Sequence, residues 1–117
     1  MKDFSKFTIP VQTASEWTKK WKNKNPKNSK AFLLPIEDLL GCLVEMGIAK
    51  LDEHGNGTIT YKENEKVRTY LGIDDNGEEK LLMVGTKNEG EVYTDIINED
   101  SEKEVSNSGI FDFTDPC

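Results

Sequence analysis

The chain predicts an α+β fold, with two N-terminal helices packed on a small antiparallel sheet, and three observations carry that expectation. Apolar residues recur at helical spacing over residues 14–22 and again from Pro35 to Gly47. From residue 67 the pattern changes to short strands around an Asn76-Gly77 turn. The length of 117 residues, 35 % of them hydrophobic, suits one modest core, so residues 1–117 are read as a single domain.

Residues 4–11 alternate loosely (Phe4, Phe7, Ile9, Val11) and end beside Pro10, which suggests an extended lead-in. Thr13-Ala14-Ser15-Glu16 offers a capping box for a helix over residues 14–22, whose Ala14, Trp17 and Trp21 share one face. Asn23-Lys24-Asn25-Pro26 stops it, and residues 24–30 read as a solvated loop. Pro35 suits the first turn of the second helix, and Glu37 and Asp38 favour its positive end. Ile36, Leu39, Leu40, Leu43 and Val44 form its apolar stripe, Gly47 ends it, and Ile48 packs back. Cys42, beside Leu39 and Met46 on that helix, reads as a buried, inert thiol.

Residues 67–73 and 80–86 flank Asn76-Gly77, a dipeptide suited to a two-residue type I′ turn with positive φ at both positions. That turn would set Leu71 opposite Leu82, Tyr70 opposite Met83 and Thr69 opposite Val84. An isolated hairpin is marginal in water, so its apolar face should cover the stripe of the second helix. Residues 91–97 are expected as a third strand, 98–108 as a polar loop and 110–113 as a last short strand.

Composition excludes several classes. The apolar runs fall far short of the roughly 20 residues that span a bilayer, so no membrane association is expected. The N-terminus, Met1-Lys2-Asp3-Phe4-Ser5-Lys6, lacks the apolar run of a secretory signal, which points to a soluble cytoplasmic protein if this is the native start. Cys42 and Cys117 match no zinc spacing and no disulfide framework. Residues 1–36 carry eight lysines against Asp3 and Glu16, a net +6, while the other 81 residues sum to −13. So acidic a remainder opposes nucleic-acid binding.

Arg68, Tyr70, Gly72 and Asp74, followed by Leu81, Val84 and Gly85, and the tail from Gly109 to Cys117 with its Phe-Asp-Phe and Pro-Cys, resemble a group of small uncharacterised bacterial proteins. These share an Arg-x-Tyr-x-Gly-x-Asp strand paired with a Leu-x-x-Val-Gly strand. The resemblance covers most of residues 30–117, supports the fold and implies no activity. In such relatives the tail continues to a further Pro and a second Cys, whereas this chain stops at Cys117.

Three segments could carry function. Residues 52–63 resemble a calcium-binding EF-hand loop, in which Asp52, Asn56 and Glu63 would be side-chain ligands and Thr58 would offer its carbonyl to Ca2+. Against it, His54 stands where an Asp or Asn is usual, Gly47 breaks the entering helix early and no second loop pairs with it. A Gly-rich turn leading into a strand at Thr58-Ile59-Thr60-Tyr61 fits better. Trp17 and Trp21 among the lysines of residues 17–30 could stack bases and neutralise phosphates, although tryptophans on one helix face ordinarily pack into a core. Catalysis has little footing: there is one histidine, no nucleophile elbow and no phosphate-binding loop, and no cofactor is expected. A non-catalytic protein-interaction module with an unknown protein partner, using a sheet edge, therefore leads the functional readings.

Overall fold

A computed structural model of the chain describes residues 2–97, 110–113, 115 and 116. It is an α+β fold. A 3-10 turn at Ser5–Phe7 precedes α1 (Val11–Lys24), β1 (Phe32–Leu33), α2 (Ile36–Glu45), β2 (Ala49–Leu51), β3 (Gly57–Ile59), β4 (Val67–Ile73), β5 (Glu79–Glu89), β6 (Val92–Asp95), β7 (Ile110–Phe113) and β8 (Asp115–Pro116). The expected loop at 98–108 and the residue Cys117 lie outside the described residues. None of the helices described is long and apolar enough to cross a membrane.

The N-terminal segment departs from its expectation. Residues 4–11 are not wholly extended, because the Asp3 carboxylate accepts from the Ser5 N–H at 2.9 Å and from its hydroxyl at 2.6 Å and winds the following turn. Helix α1 starts at Val11 with Pro10 as N-cap, so Thr13 and Glu16 lie inside it and form no capping box. Pro10 has no N–H to leave unsatisfied, and its carbonyl accepts the Ala14 N–H at 3.0 Å. No residue of α1 is buried.

Helix α2 is the core element. It has Pro35 as N-cap, with Glu37 and Asp38 in its first turn. At its end the Gly47 N–H donates to Val44 and the Ile48 N–H to Leu43, both at 2.9 Å, the paired bonds of a Schellman stop. Cys42 is fully buried and packs with Met83, Leu39, Val67 and Leu81. Burial and the nearby Asp38 and Glu45 push its thiol up to about 11, so it stays protonated and inert. The expected stripe is narrower than its sequence, since Ile36 and Val44 are exposed.

Strand β5 is the centre of the main sheet. It pairs with β4 along one edge, and with β7 and then β6 along the other, all antiparallel. The β4–β5 register differs from the expected one by a residue: Leu71 faces Leu81, Tyr70 faces Leu82 and Thr69 faces Met83. The cause is the turn. The Asp74 N–H donates to the Glu78 carbonyl and the Gly77 N–H to the Asp74 carbonyl, enclosing three residues rather than two. The Asp74 carboxylate accepts from the N–H groups of Asn76 and Glu78, both at 2.9 Å, and Gly77 alone of the central residues has positive φ, at 82°. This is a type I turn closed by a glycine bulge.

The β2–β3 hairpin repeats that chemistry. The Asp52 N–H donates to the Asn56 carbonyl, the Gly55 N–H to the Asp52 carbonyl, and the Asp52 carboxylate accepts from His54 and Asn56 at 2.8 and 3.0 Å.

Over the odd-numbered face of β4 and β5, α2 packs closely because Gly85 has no side chain: a Cβ there would stand 2.6 Å from Met46 Cγ and 3.2 Å from the Cys42 carbonyl oxygen. Ten helical residues span about 15 Å, whereas the seven of β4 span about 23 Å. Helix α2 therefore covers the Val67–Gly85 end and leaves the hairpin tip bare.

Candidate functional site

At that tip Leu71 and Ile73 are each 74 % exposed. Both belong to the odd-numbered face, next to Glu79, which pairs with Ile73. Facing them is the end of α1 with the loop that follows, and between the two lies a cleft of about 500 Å³ with walls of Trp21, Phe32, Leu71 and Ile73.

The loop is held by hydrogen bonds rather than by a core. The Trp21 indole N–H donates to the Ser29 carbonyl at 3.2 Å, and the Lys22 ammonium donates to the carbonyls of Pro26 and Asn28 at 3.1 and 3.2 Å. The loop is tied to the hairpin by Glu79, whose carboxylate accepts from the Asn28 amide at 2.6 Å and from the Ser29 N–H at 2.5 Å. These bonds, with Lys22 nearby, hold the Glu79 carboxyl below its ordinary value. A depressed carboxyl stabilises the contact above its ordinary value of 4.5 and releases it as pH falls through the lower, folded value. Tryptophan fluorescence should accordingly report an acid transition centred below that value, and Glu79→Gln should abolish it. An identical transition in the variant would assign it to another carboxylate.

The cleft meets β4 at Leu71, Gly72 and Ile73, and among the described residues this strand pairs with β5 alone, so its other edge is open. The phase of its hydrogen bonds follows from the Asp74–Glu78 bond, since bonded pairs recur every second residue. Gly72, Tyr70 and Arg68 thus bond to β5, and the N–H and C=O groups of Val67, Thr69, Leu71 and Ile73 point outward. The other edge of β5 agrees: the carbonyl of Gly85, which pairs with Val67, accepts the Ile96 N–H on the far side.

The even-numbered face carries a polar clamp. The Arg68 guanidinium donates to Asp95 Oδ1 at 2.6 Å and to the Tyr93 carbonyl at 3.1 Å, and the Tyr70 hydroxyl donates to Asp95 Oδ2. The Tyr93 hydroxyl donates to the Asn64 carbonyl at 2.7 Å, and the Lys66 ammonium lies 5.0 Å from the Tyr93 ring centroid. Both Asp95 oxygens are used, so this group ties β4 to β6 over β5. The Arg-x-Tyr-x-Gly-x-Asp pattern thereby acquires physical roles: Arg68 and Tyr70 grip Asp95, and Asp74 folds the turn.

Of the proposed metal ligands, the structure brings Asp52 and Asn56 together in one turn, where the Asn56 N–H donates to the Asp52 carboxylate at 3.0 Å. Asp52 and Asn56 close the β2–β3 turn, Thr58 pairs with Lys50 in β3, and Glu63 lies in the segment after β3. That segment is flanked by strands, not by two helices. Among the described residues no group of three or more His, Cys, Asp or Glu side chains is placed to hold a metal ion. Trp17 and Trp21 are 58 % and 45 % exposed and belong to no core, and of the lysines near them Lys22 is engaged by its own loop. The cleft is not legible in sequence, since its walls come from residue 21 on α1, residue 32 on β1 and residues 71 and 73 on β4. No protein-family model, curated protein or solved structure matches the chain.

Proposed function

We propose that this protein is a non-catalytic interaction module that takes an extended segment of another polypeptide along the outer edge of β4. The observation that supports it is the coincidence of a seven-residue strand with one edge unpaired among the described residues and two apolar side chains, Leu71 and Ile73, left bare beside an aromatic cleft. An added strand gains backbone hydrogen bonds from the outward groups of β4, and its alternate side chains enter the cleft. A binding role is favoured because the carboxylate lining the cleft, Glu79, already accepts two hydrogen bonds from the protein itself. In this reading the two N-terminal helices divide the work, α2 supporting the sheet and α1 framing the site with Trp21.

Panning a library of extended peptides tests the proposal. Selected peptides should carry apolar residues at alternate positions, and Leu71→Asp should weaken them at least about tenfold, roughly 1.4 kcal/mol. Ile36→Asp, at an exposed apolar position away from the cleft, should leave them unchanged. Peptides indifferent to Leu71→Asp would move the site elsewhere.

A further inference from the structure

We infer that the segment occupying this edge is β4 of a second copy of the chain, paired antiparallel about a two-fold axis at Tyr70; the inference rests on the edge reading above and names its partner. A symmetric pairing must oppose residues whose backbone groups all point outward, and in β4 these are Val67, Thr69, Leu71 and Ile73. Centring on Tyr70 uses the whole strand, setting Val67 against Ile73 and Thr69 against Leu71. All four side chains lie on one face, so the bare Leu71 and Ile73 gain apolar neighbours from the second copy.

Charge selects both the partner and the register. One residue beyond the strand, Asp74, whose carboxylate lies 3.8 Å from the Lys80 ammonium, falls opposite Lys66 of the second copy, so opposite charges meet at each end once Lys66 leaves the Tyr93 ring 5.0 Å away. Sliding by two residues would set Asp74 against Asn64, or against Arg68, whose guanidinium is already held by Asp95 and Tyr93. The one unfavourable opposition, Asp75 with Glu65, lies outside the ladder.

The strand also lacks the devices that keep edges apart. It contains no Pro and no Lys, and its single charge, Arg68, is turned across β5 to Asp95. Edge, face and end charges thus complement a copy of themselves.

Sedimentation equilibrium of the full chain, over about 5 to 500 µM, reads the outcome. The wild type should rise from monomer to dimer mass with concentration. Leu71→Lys, which puts a charge on the shared face, and Leu71→Pro, which removes an outward N–H, should both stay monomeric with their melting transitions retained. In a Cys117→Ser background, mixing Thr69→Cys with Leu71→Cys should give crosslinked dimer faster than either alone, which fixes the register. A wild type of monomer mass at every concentration, or a dimer that survives both Leu71 variants, would overturn the inference. A monomer that still selects peptides sensitive to Leu71→Asp would sink self-pairing and leave the interaction reading standing.

Discussion

Replacing Gly85 by Val should lower folding stability by about 3 kcal/mol, and by Ala distinctly less. A Cβ at this position meets two different neighbours. Met46 Cγ, 2.6 Å away, belongs to a flexible side chain that can swing aside. The Cys42 carbonyl, 3.2 Å away, cannot, because it accepts the Met46 N–H at 3.0 Å in the last turn of α2. Alanine asks Met46 to move and α2 to give by a few tenths of an ångström at the Cys42 carbonyl. Valine adds two methyl groups and lifts the helix from the sheet, exposing the small core of Cys42 and Met83. Urea denaturation of the three proteins measures this; equal losses for Ala and Val would show that α2 is not seated on β5.

Gly77→Val is the second large effect, expected at about 1–3 kcal/mol, because it forces a β-branched residue to hold φ near 82°. The companion substitution distinguishes the turn types. In a two-residue type I′ turn Asn76 would also need positive φ, and Asn76→Val would cost as much. In the three-residue turn observed here it should change stability by no more than about 0.5 kcal/mol. Unfolding midpoints of the pair decide between the two geometries, and a matching loss at both positions would restore the tighter turn and its register.

The features legible in the sequence were those fixed by local chemistry. Pro35 and Gly47 bound α2, and the strands β6 and β7 lie within the segments expected from their composition. The hairpin was legible as a hairpin but not in its register. Asn76-Gly77 points to a two-residue turn, whereas the deciding residue is Asp74, three before the glycine, whose carboxylate holds two backbone N–H groups. Asp52, three before Gly55, carries the same signal and explains why an EF-hand resemblance at residues 52–63 takes the form of a β-hairpin. Trp17 and Trp21 were harder to read, since an apolar stripe states which face seeks cover and not where cover comes from. The grip of Arg68 and Tyr70 on Asp95 joins residues 25 and more apart, beyond any local pattern.

The two Asp-led turns also bear on the order of assembly. Each closes within five residues using only its own backbone and one carboxylate, so loop closure costs little entropy and both hairpins are expected to form within about 1–10 µs. Docking β7 onto β5 instead joins Leu81 to Phe113 across a long stretch of chain. That step carries the larger entropic barrier and should come last. Substitutions at Asp74 should therefore slow folding, and truncation before Ile110 should mainly speed unfolding; stopped-flow kinetics showing the reverse would place the nucleus in the C-terminal strand.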